Sequence, residues 1–422
     1  MLWPRRRFAA ALGSSLALPV AAQFRIDITG VGATQLPVAV APFKGETAGP
    51  AATSAIIRAN LERSGVFRLV EPPAGLDERS RLPQEDLRSR GADALLAGTY
   101  ARLADGSLDL RYRLWDAVGN REHFARTLSV AGADHRLAAH RIADEVYQQL
   151  TGERGVFATR IAYVTRAGRT FTLHVTDADG EGGQVALVSA EPIISPAWAP
   201  NGRELAYVSF ETQKAVVWVQ DIQTGRRTAV ANFRGTNSAP AWSPDGRELI
   251  VTLSREGPAQ LHVISRDGGT LRRLTASNAI DTEPVYTPDG RSVYFVSDRG
   301  GGPQIYRVAA IGGAAERVTF AGSYNISPAI SPDGRTLAYI TRQGNAFRLT
   351  TLDIASGRSE SISDTTEDES PSFAPNGRLI VYATRAGGRD VLMTTTLDGK
   401  IKTRLLTSGA DMREPAWGPF GR

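Results

Sequence analysis

The chain has 422 residues, long enough for two domains, and a formal net charge of +5 with no cysteine. The lack of cysteine excludes a disulfide-stapled scaffold, and a chain of this size has core enough without one. Three of the positive charges sit at the very start, and no basic stripe interleaved with aromatics follows, which argues against nucleic acid as a partner.

Arg5, Arg6 and Arg7 precede an apolar run from Phe8 to Val20, and Val20-Ala21-Ala22 places small residues where a signal peptidase cuts. Met1 to Ala22 therefore reads as a secretory signal peptide, too short in its apolar part to span a membrane, with cleavage expected after Ala22. The run Arg5-Arg6-Arg7-Phe8 fits the twin-arginine route as well as the general one, so the export route stays open. No later stretch is able to span a membrane, and the mature chain is expected to be soluble.

Gln23 to Ala33 opens the mature chain. Phe24, Ile26 and Ile28 alternate with Arg25, Asp27 and Thr29, a strand-like period of two, before Gly30-Val31-Gly32 loosens the backbone. Two readings are open: an edge strand on its own protein, or a detachable strand that adds to a partner's sheet.

Residues 34–152 alternate strand and helix signals. Leu36 to Phe43 reads as a buried strand and Ala51 to Arg63 as a helix with Ala55, Ile56, Ala59 and Leu61 inward and Gly65 past its end. Strands are expected at Val66 to Val70, Ala94 to Tyr100, Ser107 to Trp115 and Phe124 to Val130. A short helix is expected at Leu82 to Arg90, and a closing one at Asp134 to Leu150 with Leu137, Ile142, Val146 and Leu150 inward. The sum is an α/β N-terminal domain, a mixed sheet with helices, linked by Thr151 to Thr159 to a second domain.

From residue 160 to 422 one phrase recurs six times: PAWAPNGR, PAWSPDGR, PVYTPDGR, PAISPDGR, PSFAPNGR and PAWGPFGR, starting at Pro196, Pro240, Pro284, Pro328, Pro371 and Pro415. The spacings of 44, 44, 44, 43 and 44 residues, with strand signals between, are those of a β-propeller with four strands per blade. Proline presets φ, Asp or Asn suits the next position and Gly closes the turn. The strand after each turn is apolar throughout, as in Leu205-Ala206-Tyr207-Val208, which suits burial between stacked blades. The last copy lacks its three following strands. Arg160 to Val164, Phe171 to Asp177 and Gln184 to Val188 supply them from the front, giving an all-β six-bladed β-propeller with no open edge.

Enzyme signatures are missing. There is no G-x-S-x-G elbow and no G-x-x-x-x-G-K phosphate loop, and His135 and His140 have the wrong spacing for an H-E-x-x-H zinc site. All five histidines read as structural or surface residues. The repeat residues Asn201, Asp245, Asp289, Asp333 and Asn376 are explained by turn chemistry rather than by a metal. No cofactor is implied. A hydrolase or lyase acting on a peptide or glycan in the channel is the alternative reading, and it needs a converging acid and base that the sequence does not display. A lectin-like reading would need exposed aromatic platforms, whereas Trp198, Trp242 and Trp417 lie in the repeat strands and are expected between blades.

The order of parts resembles the TolB family, the periplasmic propellers of the Tol–Pal system in Gram-negative bacteria. The resemblance rests on the signal peptide, the short alternating start, the α/β domain, six PxxSPDG-type blades and the ending Glu414-Pro415-Ala416-Trp417-Gly418-Pro419. It implies a binding protein that supports outer-membrane integrity and constriction during cell division, and whose system is exploited by colicins. Two partners are implied: the lipoprotein Pal at the propeller's central opening and TolA at the N-terminal strand. Other outer-membrane proteins and colicins are further partners that it suggests. Carried over by position, the TolA strand is Gln23, Phe24, Arg25, Ile26, Asp27, Ile28, Thr29 and Gly30, within Gln23 to Gly32. The Pal surface is Thr236, Asn237, Ala239, Asp281, Thr282, Glu283, Tyr324 and Asn325, with Asp368, Glu369, Arg413 and Glu414 as weaker members. Phe420 departs from the pattern by replacing Asp in the sixth phrase. Glu283 and Glu414 stand at equivalent places before Pro284 and Pro415. Carboxylates are rarely buried unpaired, so they are expected to face channel water, meet a cation or pair with an arginine of the next blade.

Overall fold

The computed structural model describes residues 35–405 and 410–421. The expected signal peptide, and the expected N-terminal strand with Gln23, Phe24, Arg25, Ile26, Asp27, Ile28, Thr29 and Gly30, lie outside the described residues.

The N-terminal domain is built from β1 (Leu36–Val40), α1 (Thr53–Arg63), β2 (Phe67–Val70), α2 (Gln84–Ser89), β3 (Ala94–Arg102), β4 (Leu108–Asp116), β5 (Arg121–Val130) and α3 (His135–Thr151). The sheet order is β2-β1-β3-β4-β5, with β1 parallel to both neighbours and the other pairs antiparallel. Alternation along β1 sends Val38 and Val40 toward α1 and α3, while Ala39 and Ala41 join Leu87 of α2 on the other face. The buried stripes of the helices are rotated from those expected. In α1 they are Thr53, Ser54, Ile56, Ile57, Asn60 and Leu61, with Ala55 and Ala59 only half-buried. In α3 Ala138, Ala139, His140, Ala143 and Tyr147 join Ile142 and Val146, while Leu137 and Leu150 are half-buried. Asn60 and His140 explain the rotation, because their side chains bond each other in the buried space (Nδ2 to Nδ1, 2.7 Å).

The propeller has six four-stranded antiparallel sheets. Their innermost strands are Ile193–Trp198, Asn237–Trp242, Asp281–Tyr286, Asn325–Ile330, Glu369–Phe373 and Asp411–Trp417, which define blades 1 to 6. Blade 6 is completed by Arg160–Ala167, Thr170–Asp177 and Gln184–Ser189, with Trp417 opposite Ile161 and Ala416 opposite Ala162. The second strand of blade 1, Glu204–Ser209, is buried at every residue, and the others are buried along their central residues, as strands covered on both faces must be. In the phrase turns the Asp or Asn oxygen accepts backbone N–H from the residue two further on, for example Asp245 Oδ1 from Arg247 at 3.1 Å.

The glycine of the phrase serves a second purpose. Gly246 has φ +72, and the place of its missing Cβ lies 3.2 Å from Pro200 of the preceding blade. Pro244 on Gly290, Pro288 on Gly334, Pro332 on Gly377 and Pro419 on Gly202 repeat the contact. The tryptophans also join blades: Trp242 Nε1 donates to the Ala197 carbonyl and Trp198 Nε1 to the Ala416 carbonyl, both at 3.1 Å.

The N-terminal domain sits against the turn ends of the blades. Asp144 of α3 accepts the linker N–H groups of Phe157 (2.7 Å) and Ala158 (3.0 Å). Arg154 lies 4.1 Å over the Phe420 ring, so the residue that breaks the repeat pattern is a docking contact. Beside it is a buried ion cluster. Arg136 donates to Asp179 Oδ2 (2.6 Å) and Asp177 Oδ2 (3.3 Å), and His140 Nε2 points between the same oxygens at 3.4 and 3.7 Å. Burial works against the Asp179 charge, and His140, Arg63 and Arg136 outweigh it, so its pKa lies below the ordinary value. Arg136 already neutralises the oxygens that a metal at His140, Asp177 and Asp179 would need. Asp179→Ala should remove a nearly buried acid from beside the half-buried Arg136 and Arg63, leave Arg136 only Asp177, and cost about 3 kcal/mol. Urea unfolding followed by circular dichroism measures this, and an unchanged midpoint would show that the cluster does not join the domains.

Candidate functional site: the propeller channel and its mouth

Each innermost strand has one sheet neighbour, and its other edge faces the central channel. Proline blunts such an edge by removing a donor, which gives the repeat's first proline a physical reason. Twelve prolines, two per blade, line a channel of about 630 Å³.

The residue before the strand proline is the unusual one. Ser195, Ala239, Glu283, Ser327, Ser370 and Glu414 all have positive φ, between 47 and 56°. At each, the inner strand carries one residue more than its partner. Thr282 faces Val296 and Val285 faces Tyr294, three steps against two, and the other five blades show the same shift. Proline disfavours the right-handed helical region for the residue before it. The bulge therefore turns left-handed at non-glycine residues, at a cost of roughly 1–2 kcal/mol each. Six such turns form one ring around the axis. The sequence expectation includes Ala239, Glu283 and Glu414 from this ring. It misses Ser195, Ser327 and Ser370, which a fixed offset of one residue before each repeat proline would find.

Glu283 and Glu414 belong to blades 3 and 6, opposite each other across the channel. The pairing with an arginine of the next blade is not what the structure has. Ser327 N–H of blade 4 donates to Glu283 Oε2 at 2.6 Å, and Ser195 N–H of blade 1 donates to Glu414 Oε2 at 3.1 Å. Each carboxylate thus clasps the bulge of the following blade. Both are half-buried, touched by channel solvent but packed by protein on nearly all sides. Burial raises the Glu414 pKa to about 7, helped by the Glu369 and Glu283 carboxylates and opposed by the Ser195 bond and Arg413. Burial also raises Glu283, against the Ser327 bond.

The remaining expected residues divide by exposure. Asn237, Asp281 and Asn325 are wholly buried, so their side chains position the mouth rather than face a partner. Asn237 Nδ2 donates to the Ala215, Phe233 and Gly235 carbonyls, Asp281 accepts from Arg299 Nη2 at 2.8 and 2.9 Å and from Ser277 Oγ at 3.1 Å, and Asn325 Nδ2 donates to Ala321 O and Gln304 Oε1, each at 2.8 Å. Asp368 is the blade 5 counterpart, accepting from Thr365, Thr384 and the Leu349 N–H. Thr236 and Arg413 are exposed at the rim, and Thr282, Tyr324 and Glu369 are half-buried. Arg413 Nε donates to Asp390 at 2.6 Å and lies 3.8 Å from Glu369, whose pKa is raised by burial despite it. Tyr324 stands edge-on to Phe347, centroids 5.8 Å apart.

In the folded chain Glu414 takes up its proton near pH 7, against 4.5 for the ordinary carboxyl. The proton therefore favours folding, a contribution fully present below pH 4.5 and lost as pH rises through about 7. Glu414→Gln should melt with wild type at the acidic end of that window and become the more stable of the two toward its upper end. Parallel Tm–pH curves for the two would show that Glu414 is not the titrating group.

Profiles of two families match the chain: the TolB amino-terminal domain over residues 24–123 and the TolB beta propeller domain over residues 147–421. A Tol-Pal system protein TolB from Polaromonas sp. (strain JS666 / ATCC BAA-500) is 63% identical over 420 residues, covering 99% of this chain and 98% of the relative. One from Dechloromonas aromatica (strain RCB) is 58% identical, with 98% of each covered. The crystal structure of TolB from Acinetobacter baumannii superposes with a TM-score of 0.86 at 36% identity, covering 94% of this chain and all of that one. With both domains matched and relatives aligned over nearly their whole length, the chain belongs to the TolB family of the Tol–Pal system.

Proposed function

We propose that this protein is a periplasmic adaptor that binds rather than catalyses: the channel mouth holds the lipoprotein Pal, and the strand Gln23 to Gly32 engages TolA. The reading rests on membership of the family and, in the structure, on the ring of left-handed bulges at the mouth. Backbone held in a sparsely populated conformation at one end of a channel, in six equivalent places, marks a surface kept in shape for a ligand. Thr236, Ala239, Thr282, Glu283, Tyr324, Glu369, Arg413 and Glu414 are the members with surface to offer, and Asn237, Asp281 and Asn325 hold the loops beneath them. The N-terminal domain lies at the turn end, opposite the mouth, and the two contacts are assigned to different parts of the chain. Any coupling between the two is reciprocal in affinity. In the cell the adaptor would support outer-membrane integrity and constriction during division.

No helix among the described residues is long and apolar enough to cross a membrane. Calorimetric titration of the chain from Gln23 onward with a soluble, lipid-free Pal domain tests the first contact. Saturable one-to-one binding is expected, weakened at least about tenfold by Glu283→Lys, which places a bulky cation in the ring and frees the Ser327 N–H. An unaltered dissociation constant would remove Glu283 from the site. Deleting Gln23 to Gly32 should abolish binding to a soluble TolA domain and leave the Pal titration intact. Unchanged TolA affinity would sink that assignment.

A further inference from the structure

Blade 3 differs from the other five at its mouth end. Among the described residues, two large apolar side chains stand exposed in the mouth loops, Ile280 at 51% and Phe320 at 75%. Both belong to this blade: Ile280 leads into the innermost strand Asp281–Tyr286, and Phe320 follows the outermost strand Glu316–Arg317. Between them lies the hairpin that joins the second strand, Ser292–Ser297, to the third, Gln304–Ala309, with Gly300-Gly301-Gly302 in its tip. Ile280, the hairpin and Phe320 thus follow one another in a radial row from the channel to the rim.

Each part of the row is held in place. Ile280 N–H donates to Asp298 Oδ1 at 2.8 Å, which pins the incoming loop to the hairpin. Packing requires glycine at two places in the tip: a Cβ on Gly300 would lie 2.8 Å from Tyr306 Oη, and one on Gly302 would lie 3.0 Å from the Ser323 carbonyl oxygen. Gly301 between them has φ +95, a value that side chains disfavour. The tip is therefore bare backbone, open to solvent at Gly300 and Gly301. At the rim Arg317 lies 5.3 Å from the centre of the Phe320 ring and donates through Nε to the Thr319 carbonyl at 2.7 Å. Among the described residues no carboxylate pairs with Arg317, whereas Arg299 of the same blade is paired with Asp281. The channel end of the blade carries Glu283. The row runs from that carboxylate, past two apolar side chains, to a cation with no acid beside it.

We propose that this row seats an aliphatic or aromatic side chain of Pal outside the channel, with a carboxylate next to that side chain reaching Arg317. This rests on the reading that Pal occupies the mouth, and it adds an apolar anchor on one blade and the order of charges on the partner's surface. Ile280 stands three residues before Glu283, so a protein that fills the mouth meets the row without a gap. A membrane would need such side chains around the whole rim, and they occur on one blade. Two side chains and a bare turn also fall far short of the roughly 1,200 Å² that a stable contact between two copies of the chain buries, so the row belongs to a larger interface. Apolar anchors of this kind carry much of the energy in interfaces whose other contacts are polar. An anchor in one sector also fixes the partner's rotation about the axis, which six similar bulges leave open.

The soluble, lipid-free Pal domain from the same organism would be titrated calorimetrically into the chain from Gln23 onward and into its variants. Phe320→Ala and Ile280→Ala should each weaken binding about tenfold, with Tm unchanged because both side chains are exposed. Both should also make the heat-capacity change of binding less negative, since less apolar surface is covered. Arg317→Gln should weaken binding about threefold and flatten its salt dependence. Ile311→Ala is the control, because Ile311 is 91% exposed in the outer hairpin at the turn end of the same blade and its loss should change nothing. Affinity equal to wild type in Phe320→Ala and Ile280→Ala, or an equal loss in Ile311→Ala, would overturn the anchor and leave the mouth reading intact, since Glu283→Lys reports on that separately. An unaltered salt dependence in Arg317→Gln would overturn the carboxylate contact. A wild-type chain that does not bind Pal would overturn both readings. Sedimentation of the chain alone and with phosphatidylglycerol vesicles separates the other occupants. Self-association or vesicle binding that is lost in Phe320→Ala, with Pal affinity unchanged, would assign the row to a second copy or to lipid and overturn the proposal.

Discussion

The structure depends on how six strands are allowed to show an unpaired edge to a channel without recruiting another strand. The answer is the same in every blade: a proline that cannot donate, and before it a bulge forced into left-handed backbone. The bulge lifts the pre-proline residue out of the ladder and aims it at the axis. In blades 3 and 6 the aimed residue is a glutamate, and its carboxylate holds the next blade's bulge by the backbone N–H. Edge protection, channel lining and the candidate site are thus one arrangement, and a change at a pre-proline position acts on all three.

The two domains are joined by polar contacts more than by an apolar seam. Arg136, His140, Asp177 and Asp179 form the centre, Asp144 ties down the linker, and Arg154 stacks on Phe420. Gly65 contributes by absence: its positive φ and missing side chain leave the space that Ile401 of blade 5 occupies. Such a junction is specific in direction, because each buried charge must find its partner, yet it holds few interlocked apolar groups.

Much of this is legible in the sequence, and the rest is hidden for physical reasons. A repeat of 43 to 44 residues fixes blade number, strand order and the shared sixth blade, because each unit meets the same packing demands. The mouth is harder. Asn237, Asp281 and Asn325 look like polar residues offered to a partner, but at this position polarity serves buried loop carbonyls and Arg299. Ser195, Ser327 and Ser370 escape notice because serine suggests no chemistry; only the backbone angle singles them out. The inward faces of α1 and α3 differ from expectation since Asn60 and His140 are buried as a bonded pair, which a search for apolar periodicity overlooks. Phe420 looks like a repeat decaying at its end, and becomes intelligible only with Arg154 above it.

The shared sixth blade also has a consequence in time. Its three outer strands follow directly on the linker, whereas the strand that completes it, Asp411–Trp417, comes after the five intervening blades in the chain. While the intervening blades emerge, Arg160–Ala167 presents a bare, largely apolar margin for which no local segment competes. Blades 1 to 5 can each form from contiguous chain, but the circle cannot lock until the final strand arrives. The ring therefore closes only when Asp411–Trp417 reaches Arg160–Ala167, and a chain interrupted before that strand would be left with a sticky seam beside the N-terminal domain.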